Sequence, residues 1–265
     1  MNRWASQPLK TSTNDFLAAV RSEIPVSLIA TPRADLRCER ACRWEAVETN
    51  TDLADFDQVP LTDDEGLRIE GVFVRGKGRL ELREDMFMAA DAPLLSFLES
   101  ADQSRFRFLL VDSTVSGMAT ISDIQKLPVY SVLFSLVVAV EMLLMDWIRR
   151  KCVENQDEWL VHLTKSQQGI IEKYWQDAVK ENLAIDRLSS AAFGEEIQAA
   201  EGLGIFDNHD DLRLKLKALA QLRHQVCHAT EFAPNLTQAL KIPSQVRDAR
   251  SVTIWLQEQI ERLST

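Results

Sequence analysis

The chain has 265 residues, 46% of them apolar, with only nine glycines and eight prolines. This composition excludes a fibrous or low-complexity protein and predicts ordered structure beyond roughly the first dozen residues. The formal net charge of −10 excludes a broadly basic surface, so any RNA contact has to come from a local basic patch.

The first half of the chain, to about residue 126, reads as short strands and short helices. An apolar run predicts a strand at 26–30. Two hairpins and a helix come next, with strands at 58–61 and 70–74, a helix at 93–99, and strands at 107–112 and 115–121. Because the hairpins are similar and lie about fifty residues apart, they indicate an internal duplication.

The second hairpin runs into residues 117–123, GMATISD. This segment resembles the Gly-apolar-x-Thr-x-x-Asp motif of CBS domains, regulatory modules that fold as βαββα units, pair in tandem and often bind adenosine nucleotides. The resemblance implies that Thr120 contacts a phosphate and Asp123 holds the ribose hydroxyls. Ser122 joins them because a capped helix N-terminus favours an anion.

A plainer interpretation of the same segment needs no ligand. Ser122 and Gln125 have the spacing of a capping box, so Ser122 and Asp123 would simply cap a helix. The first hairpin departs from the motif, since no Thr-x-x-Asp comes after Gly71. At most one family-like nucleotide site is therefore expected.

The second half of the chain is helical. Apolar spacing predicts helices at 129–150, 157–182, 189–201, 210–230 (capped by Asp207 and Asn208) and 244–263, which form a bundle of four or five helices. The first is apolar enough to raise a membrane-spanning alternative, but Glu141 interrupts its apolar run, which falls short of the ~20 residues needed to span a bilayer.

The four cysteines are scattered and complete no zinc site, and the N-terminus lacks a signal-peptide pattern. These features predict reduced thiols and a cytoplasmic protein without a metal or membrane partner. One metal alternative stays open: His224 and His228 lie four residues apart with Cys227 beside them.

Residues 222–228, LRHQVCH, carry the strongest chemical signal. They resemble the Arg-polar-x-x-x-His signature of the HEPN family, whose members are often metal-independent ribonucleases that act as homodimers. The resemblance implies that His228 is a general acid or base and that Arg223 holds the phosphate, with His224 beside them. Arg223 and His228 diverge by about 140° on an ideal helix, so a dimer cleft or a distortion has to bring them together.

Two neighbouring features bear on this motif. An inward Glu141 on the first helix needs a cationic partner, for which Arg223 is the best candidate. Basic residues on the motif's helix predict a local patch for RNA, and the alternative is an ordinary solvated face; they are Arg213, Lys215, Lys217 and Arg223. In the non-catalytic interpretation Arg223 only pairs with Glu141, and His228 stabilises the helix end.

Together these patterns predict an α+β protein. A pair of βαββα CBS-like repeats at 15–127 precedes an all-α HEPN-like bundle of four or five helices at 128–265. The predicted function is a nucleotide-regulated, metal-independent endoribonuclease of the toxin or defence type, a homodimer through its helical domain. The catalytic residues are Arg223, His228, His224 and Glu141, and the ligand contacts are Thr120, Ser122 and Asp123. The alternatives are a non-catalytic, nucleotide-sensing regulatory or antitoxin-like protein and a nucleotide-gated membrane regulator.

Overall fold

A computed structural model describes residues 24–183, 185–207, 209–228 and 232–263. The chain forms two compact units. The N-terminal unit runs to Val129 and includes the later segment Ala233–Pro243, whereas the helical unit contains Tyr130–Phe232 and the chain from Ser244. Several predictions lie outside the described residues: the disordered start, a domain boundary at 15, a cap at Asn208 and a helix end at 230.

The N-terminal unit contains two four-stranded sheets. The strands are β1 (Thr31–Pro32), β2 (Glu39–Arg40), β3 (Gln58–Thr62), β4 (Ile69–Val74), β5 (Gly78–Glu81), β6 (Phe87–Ala89), β7 (Phe106–Val111) and β8 (Thr114–Thr120). The first sheet has the order β2-β3-β4-β5 and the second β1-β8-β7-β6. Helix α1 (Leu94–Ser100) connects β6 to β7, and α6 (Leu236–Ala239) lies in the later segment.

Both predicted hairpins are confirmed. β3 pairs antiparallel with β4, and β7 pairs antiparallel with β8. Neighbouring side chains of β4 enter different apolar clusters, Phe73 with Val59 and Val72 with Phe108. This division results from the pleat, which directs successive side chains to opposite faces of a strand.

The prediction of two βαββα repeats is wrong. In the first sheet, short 3₁₀ helices connect β2 to β3, and a fourth strand, β5, stands where the closing helix was expected. Gly76 and Gly78 have φ of 78° and 74°, which turns the chain back against β4 and prevents a helix there. In the second sheet the closing element is a five-residue 3₁₀ helix, Ile121–Gln125, and β1 adds an edge strand.

The predicted strand at 26–30 is also wrong, because residues Val26–Leu28 form a 3₁₀ helix. Val26 and Ile29 are fully buried and lie three residues apart. That spacing matches the three-residue turn of a 3₁₀ helix, whereas strand residues three apart face opposite sides.

The helical unit contains five of the seven described α-helices. They are α2 (Leu127–Lys151), α3 (Lys165–Lys180), α4 (Phe193–Gly202), α5 (Asp210–Cys227) and α7 (Ile242–Arg262). The predicted helix at 157–182 is divided into a 3₁₀ helix, Glu158–His162, and α3. Thr164 causes this break, since it caps α3 through a reciprocal capping box with Gln167. The coarse layout, with strands before helices in an α+β protein, agrees with the sequence prediction.

Helix α2 is the one described helix that is long and apolar enough to cross a membrane. More than half of its most apolar stretch is buried inside the protein, and so is Glu141 in its middle. A buried core helix has the same length and composition, so α2 is not convincing as a membrane span.

Candidate functional site

An ion pair between Glu141 of α2 and Arg223 of α5 forms the centre of the candidate site. Arg223 Nε donates to Glu141 Oε2 at 2.9 Å. The glutamate side chain is only 9% exposed, whereas the arginine side chain is 37% exposed. Burial raises the pKa of the Glu141 carboxyl, and the nearby Arg223 charge opposes that rise. Because the bond uses Nε, the two Nη groups of Arg223 remain as donors for another anion.

A third charged residue, Glu196 of α4, belongs to this cluster and was missed in the sequence. It is 1% exposed, and its Oε2 finds no hydrogen-bond partner among the residues that the structure describes. Burial, reinforced by the charge of Glu141, raises the pKa of Glu196 to about 9. Glu196 is therefore protonated and uncharged at neutral pH. The positive charge of Arg223 is then paired with Glu141 and not shared with Glu196.

The two motif histidines lie together at the end of α5. The ring centroids of His224 and His228 are 4.4 Å apart, and both side chains are exposed. His228 comes directly after the last helical residue, and its backbone N–H donates to the carbonyl of His224. Arg223 and His228 make no hydrogen bond with each other in the described chain, as expected from their divergence on the helix. The structure therefore brings His228 to His224, and Arg223 to Glu141.

The metal alternative gains no support from this arrangement. Cys227 is exposed like the two histidines, but no group of three metal-ligating side chains comes together anywhere in the described residues.

A groove of about 500 Å³ lies between α4 and α5. Lys217 and Gln221 of α5 line it, together with Gln198 of α4. Lys217, Gln221, His224 and His228 succeed one another at intervals of three or four residues, so they share one side of the helix. The two imidazoles are therefore on the same side of α5 as the groove-lining residues Lys217 and Gln221.

The predicted basic patch on α5 is largely neutralised. Arg213 contacts Glu201 and Asp210. The two lysines of the patch also lie near carboxylates. Lys215 Nζ is 3.7 Å from carboxylate oxygens of both Asp211 and Asp248, and Lys217 Nζ is 3.9 Å from one of Glu201. A general, strongly salt-dependent affinity for RNA is not expected from this face.

The predicted nucleotide contacts lie in the other unit, at the end of β8. Asp123 Oδ2 accepts from the backbone N–H of Thr120 at 2.6 Å and from its hydroxyl at 3.0 Å. Lys126 Nζ lies 2.7 Å from Asp123 Oδ1. The cap of the 3₁₀ helix is therefore Thr120, two residues before the predicted Ser122, which is exposed. Both carboxylate oxygens of Asp123 are engaged within the protein.

No protein-family model, no curated protein and no solved structure matches this chain.

Proposed function

We propose that the helical unit cleaves RNA without a metal ion, in the cytoplasm, with His224 and His228 as the acid–base pair. The observation that carries this proposal is the exposed pair of imidazoles, 4.4 Å apart, on the same side of α5 as Lys217 and Gln221 of the α4–α5 groove. Two adjacent imidazoles supply a base and an acid from a single chain. Dimerisation through the helical domain stays a prediction. The imidazole pair does not require it, but because Arg223 and His228 diverge on α5, a dimer cleft would bring an Arg223 to the same phosphate.

The proposed reaction is an internal transfer at phosphorus. One imidazole accepts the proton of a ribose 2′-hydroxyl, and the 2′-oxygen attacks the adjacent phosphorus. The bond to the 5′-oxygen breaks as the other imidazole, in its protonated form, gives that oxygen a proton. The products are a 2′,3′-cyclic phosphate and a 5′-hydroxyl end. The requirement for a 2′-hydroxyl restricts the reaction to RNA.

In this scheme Arg223 binds a non-bridging phosphate oxygen through its Nη groups. A guanidinium suits this task because its planar fork matches two phosphate oxygens. Glu141 orients Arg223 from the buried side through its bond to Nε. Glu141 is therefore a positioning residue, and its effect on cleavage would pass through Arg223.

Purified protein incubated with mixed RNA in EDTA tests this proposal. We expect His228→Ala and His224→Ala each to lower the cleavage rate by roughly 10²-fold or more. His209→Ala is the matched control, since His209 is an exposed histidine at the opposite end of the same helix, packed against Trp255. A 2′-deoxy substrate should not be cut. Equal cleavage by wild type and His228→Ala would contradict the proposal.

A second candidate, a non-catalytic binding module, is favoured by one observation. The pair of Arg223 with buried Glu141 is what a purely structural role requires. Removing Arg223 from a buried pair costs about 3–5 kcal/mol when both partners are enclosed, and less here because the guanidinium is partly exposed.

Arg223→Ala and Arg223→Lys separate the two candidates. If the pair is only structural, Arg223→Ala lowers the melting temperature, Arg223→Lys largely restores it, and no variant cuts RNA. If Arg223 binds the phosphate, Arg223→Lys is stable and binds substrate yet cuts much more slowly, because a point charge cannot replace the planar fork.

Adenosine-nucleotide binding at Thr120 and Asp123 stays a prediction from the motif resemblance. A ribose diol would have to displace the bonds from Thr120 and Lys126 that now hold the carboxylate. Adenosine titrated against wild type and Asp123→Asn by calorimetry tests it.

A further inference from the structure

Four arginines occur within eleven residues of the N-terminal unit, in a chain whose net charge is −10. They are Arg33, Arg37, Arg40 and Arg43. The first three line a groove of about 660 Å³ between the start of the unit and the β3–β4 turn, whereas Arg43 lies outside its lining. A concentration of one sign of charge in a concave surface attracts ligands of the opposite sign.

Arg33 is held in this groove by uncharged partners. Its Nη2 donates to the carbonyl of Gly66 at 3.0 Å, and its Nη1 lies 3.3 Å from Cys38 Sγ. Burial raises the pKa of the Cys38 thiol, so that the thiol is neutral at physiological pH. These contacts orient the guanidinium without cancelling its charge.

None of the three groove arginines forms an ion pair among the described residues. The helical unit differs in this respect, because there Arg149 and Arg187 each contact a carboxylate. Arg37 and Arg40 are also exposed to solvent. Their charges are therefore available to a ligand.

Three of the acidic residues near this groove accept hydrogen bonds from other donors, and two more, Asp35 and Glu65, are exposed in the same two segments. Glu39 is the carboxylate in the lining, and its Oε1 accepts from the backbone N–H of Arg40 at 2.8 Å. In the β3–β4 turn, Asp63 Oδ1 accepts from the backbone N–H of Leu67. Asp64 Oδ1 lies 3.2 Å from Cys42 Sγ. The lining thus has three arginines against one glutamate.

We propose that the groove formed by Arg33, Arg37 and Arg40 binds the phosphate chain of a small polyphosphate, either inorganic or carried by a nucleoside. Arginine forks bind phosphate oxygens in pairs, and such charge-assisted hydrogen bonds are about twice as strong as neutral ones. Three forks match a ligand with several phosphoryl groups better than one with a single charge. The proposal does not depend on RNA cleavage by the helical unit.

Calorimetric titration of the full chain with inorganic triphosphate tests this site. We expect saturable binding to wild type and at least tenfold weaker binding to the double variant Arg37→Gln/Arg40→Gln. Both side chains are exposed, so the variant is expected to fold, which circular dichroism checks. Arg43→Gln is the matched control, since Arg43 is an exposed arginine of the same segment outside the lining.

Two further titrants identify the source of the phosphate. ATP that binds as tightly as inorganic triphosphate, or more tightly, shows that a nucleoside is tolerated or recognised, and adenosine alone should not bind at this groove. Lack of saturable binding of both triphosphates by wild type would overturn the proposal. Equal weakening by Arg43→Gln and by the double variant would also overturn it, because it would show diffuse attraction and no built site.

Discussion

The Glu196 carboxyl is buried near the carboxylate of Glu141. The stability of the folded protein therefore depends on whether Glu196 is protonated. In the folded protein its pKa is about 9, whereas a glutamate in an unfolded chain has a pKa of about 4.3. The folded state therefore holds an additional proton between these two pH values. The resulting contribution to stability is complete below the unfolded pKa and is lost as the pH rises towards 9.

Glu196→Gln should remove this dependence, because glutamine keeps the shape and carries no titratable proton. We expect wild type to lose on the order of 1–3 kcal/mol more than the variant in free energy of unfolding between pH 5 and pH 9. Urea denaturation at several pH values measures this difference. Glu258→Gln, at an exposed position of α7, is the control and should behave like wild type. Parallel curves for wild type and Glu196→Gln would show that Glu196 is ionised in the folded protein.

In the cluster of Glu141, Arg223 and Glu196, the sequence was enough to predict the burial of Glu141 but not that of Glu196. Glu141 stands alone in a long apolar helix, so its burial and its need for Arg223 were predictable. Glu196 comes directly after Glu195 near the start of a short helix, where acidic residues usually face solvent. The available signal was its spacing from Phe193, Ile197 and Ala200, which places it on the buried face of α4.

At the scale of elements, one glycine decides whether the edge strand β1 can pair with β8. A Cβ added at Gly117 would lie 2.6 Å from the carbonyl oxygen of Thr31, a backbone atom that cannot rotate away. Thr31 and Pro32 pair with Met118 and Gly117 in this ladder. Gly117, in the segment that resembles the CBS motif, is therefore explained by the close approach of β1 to β8, without any ligand.

Gly117→Ala should accordingly destabilise the N-terminal unit, by about 1–3 kcal/mol, as overpacking of a well-packed site usually does. The control is Gly169→Ala in α3, where an added Cβ meets no atom within 4 Å. That change should stabilise the protein by roughly 0.5–1 kcal/mol through helix propensity. Chemical denaturation of the three proteins measures both effects. An unchanged unfolding midpoint for Gly117→Ala would show that β1 separates from β8 easily.

The elements themselves were predictable to different degrees. Alternating apolar residues and turn signals were enough for both hairpins, because each is a local structure. The element after each hairpin was not predictable from the strand pattern alone. The first hairpin continues into β5 through glycines with positive φ at 76 and 78, and the second closes with a 3₁₀ helix capped by Thr120. An apparent repeat in the strands therefore did not extend to a repeat in the fold.

At the scale of the whole molecule, the chain passes between the two units more than once. Segment Ala233–Pro243 belongs to the N-terminal unit, although the chain on both sides of it belongs to the helical unit. Sequence patterns place a boundary near residue 127 because composition changes there, but a short return segment leaves no such mark. Within the N-terminal unit, α6 of this segment packs against the 3₁₀ helix Ile121–Gln125.

A fragment of residues 24–129 should therefore be less stable than the same fragment joined to residues 233–243 through a flexible glycine–serine linker. Ala239 and Ile242 are almost fully buried, and burying one isoleucine side chain contributes about 2 kcal/mol. For a domain of this size that corresponds to a melting temperature roughly 8–16 °C higher in the joined fragment. A scrambled version of the 233–243 segment on the same linker is the control. Equal melting of all three fragments would show that the first 129 residues complete their own core, and that the return segment only rests on its surface.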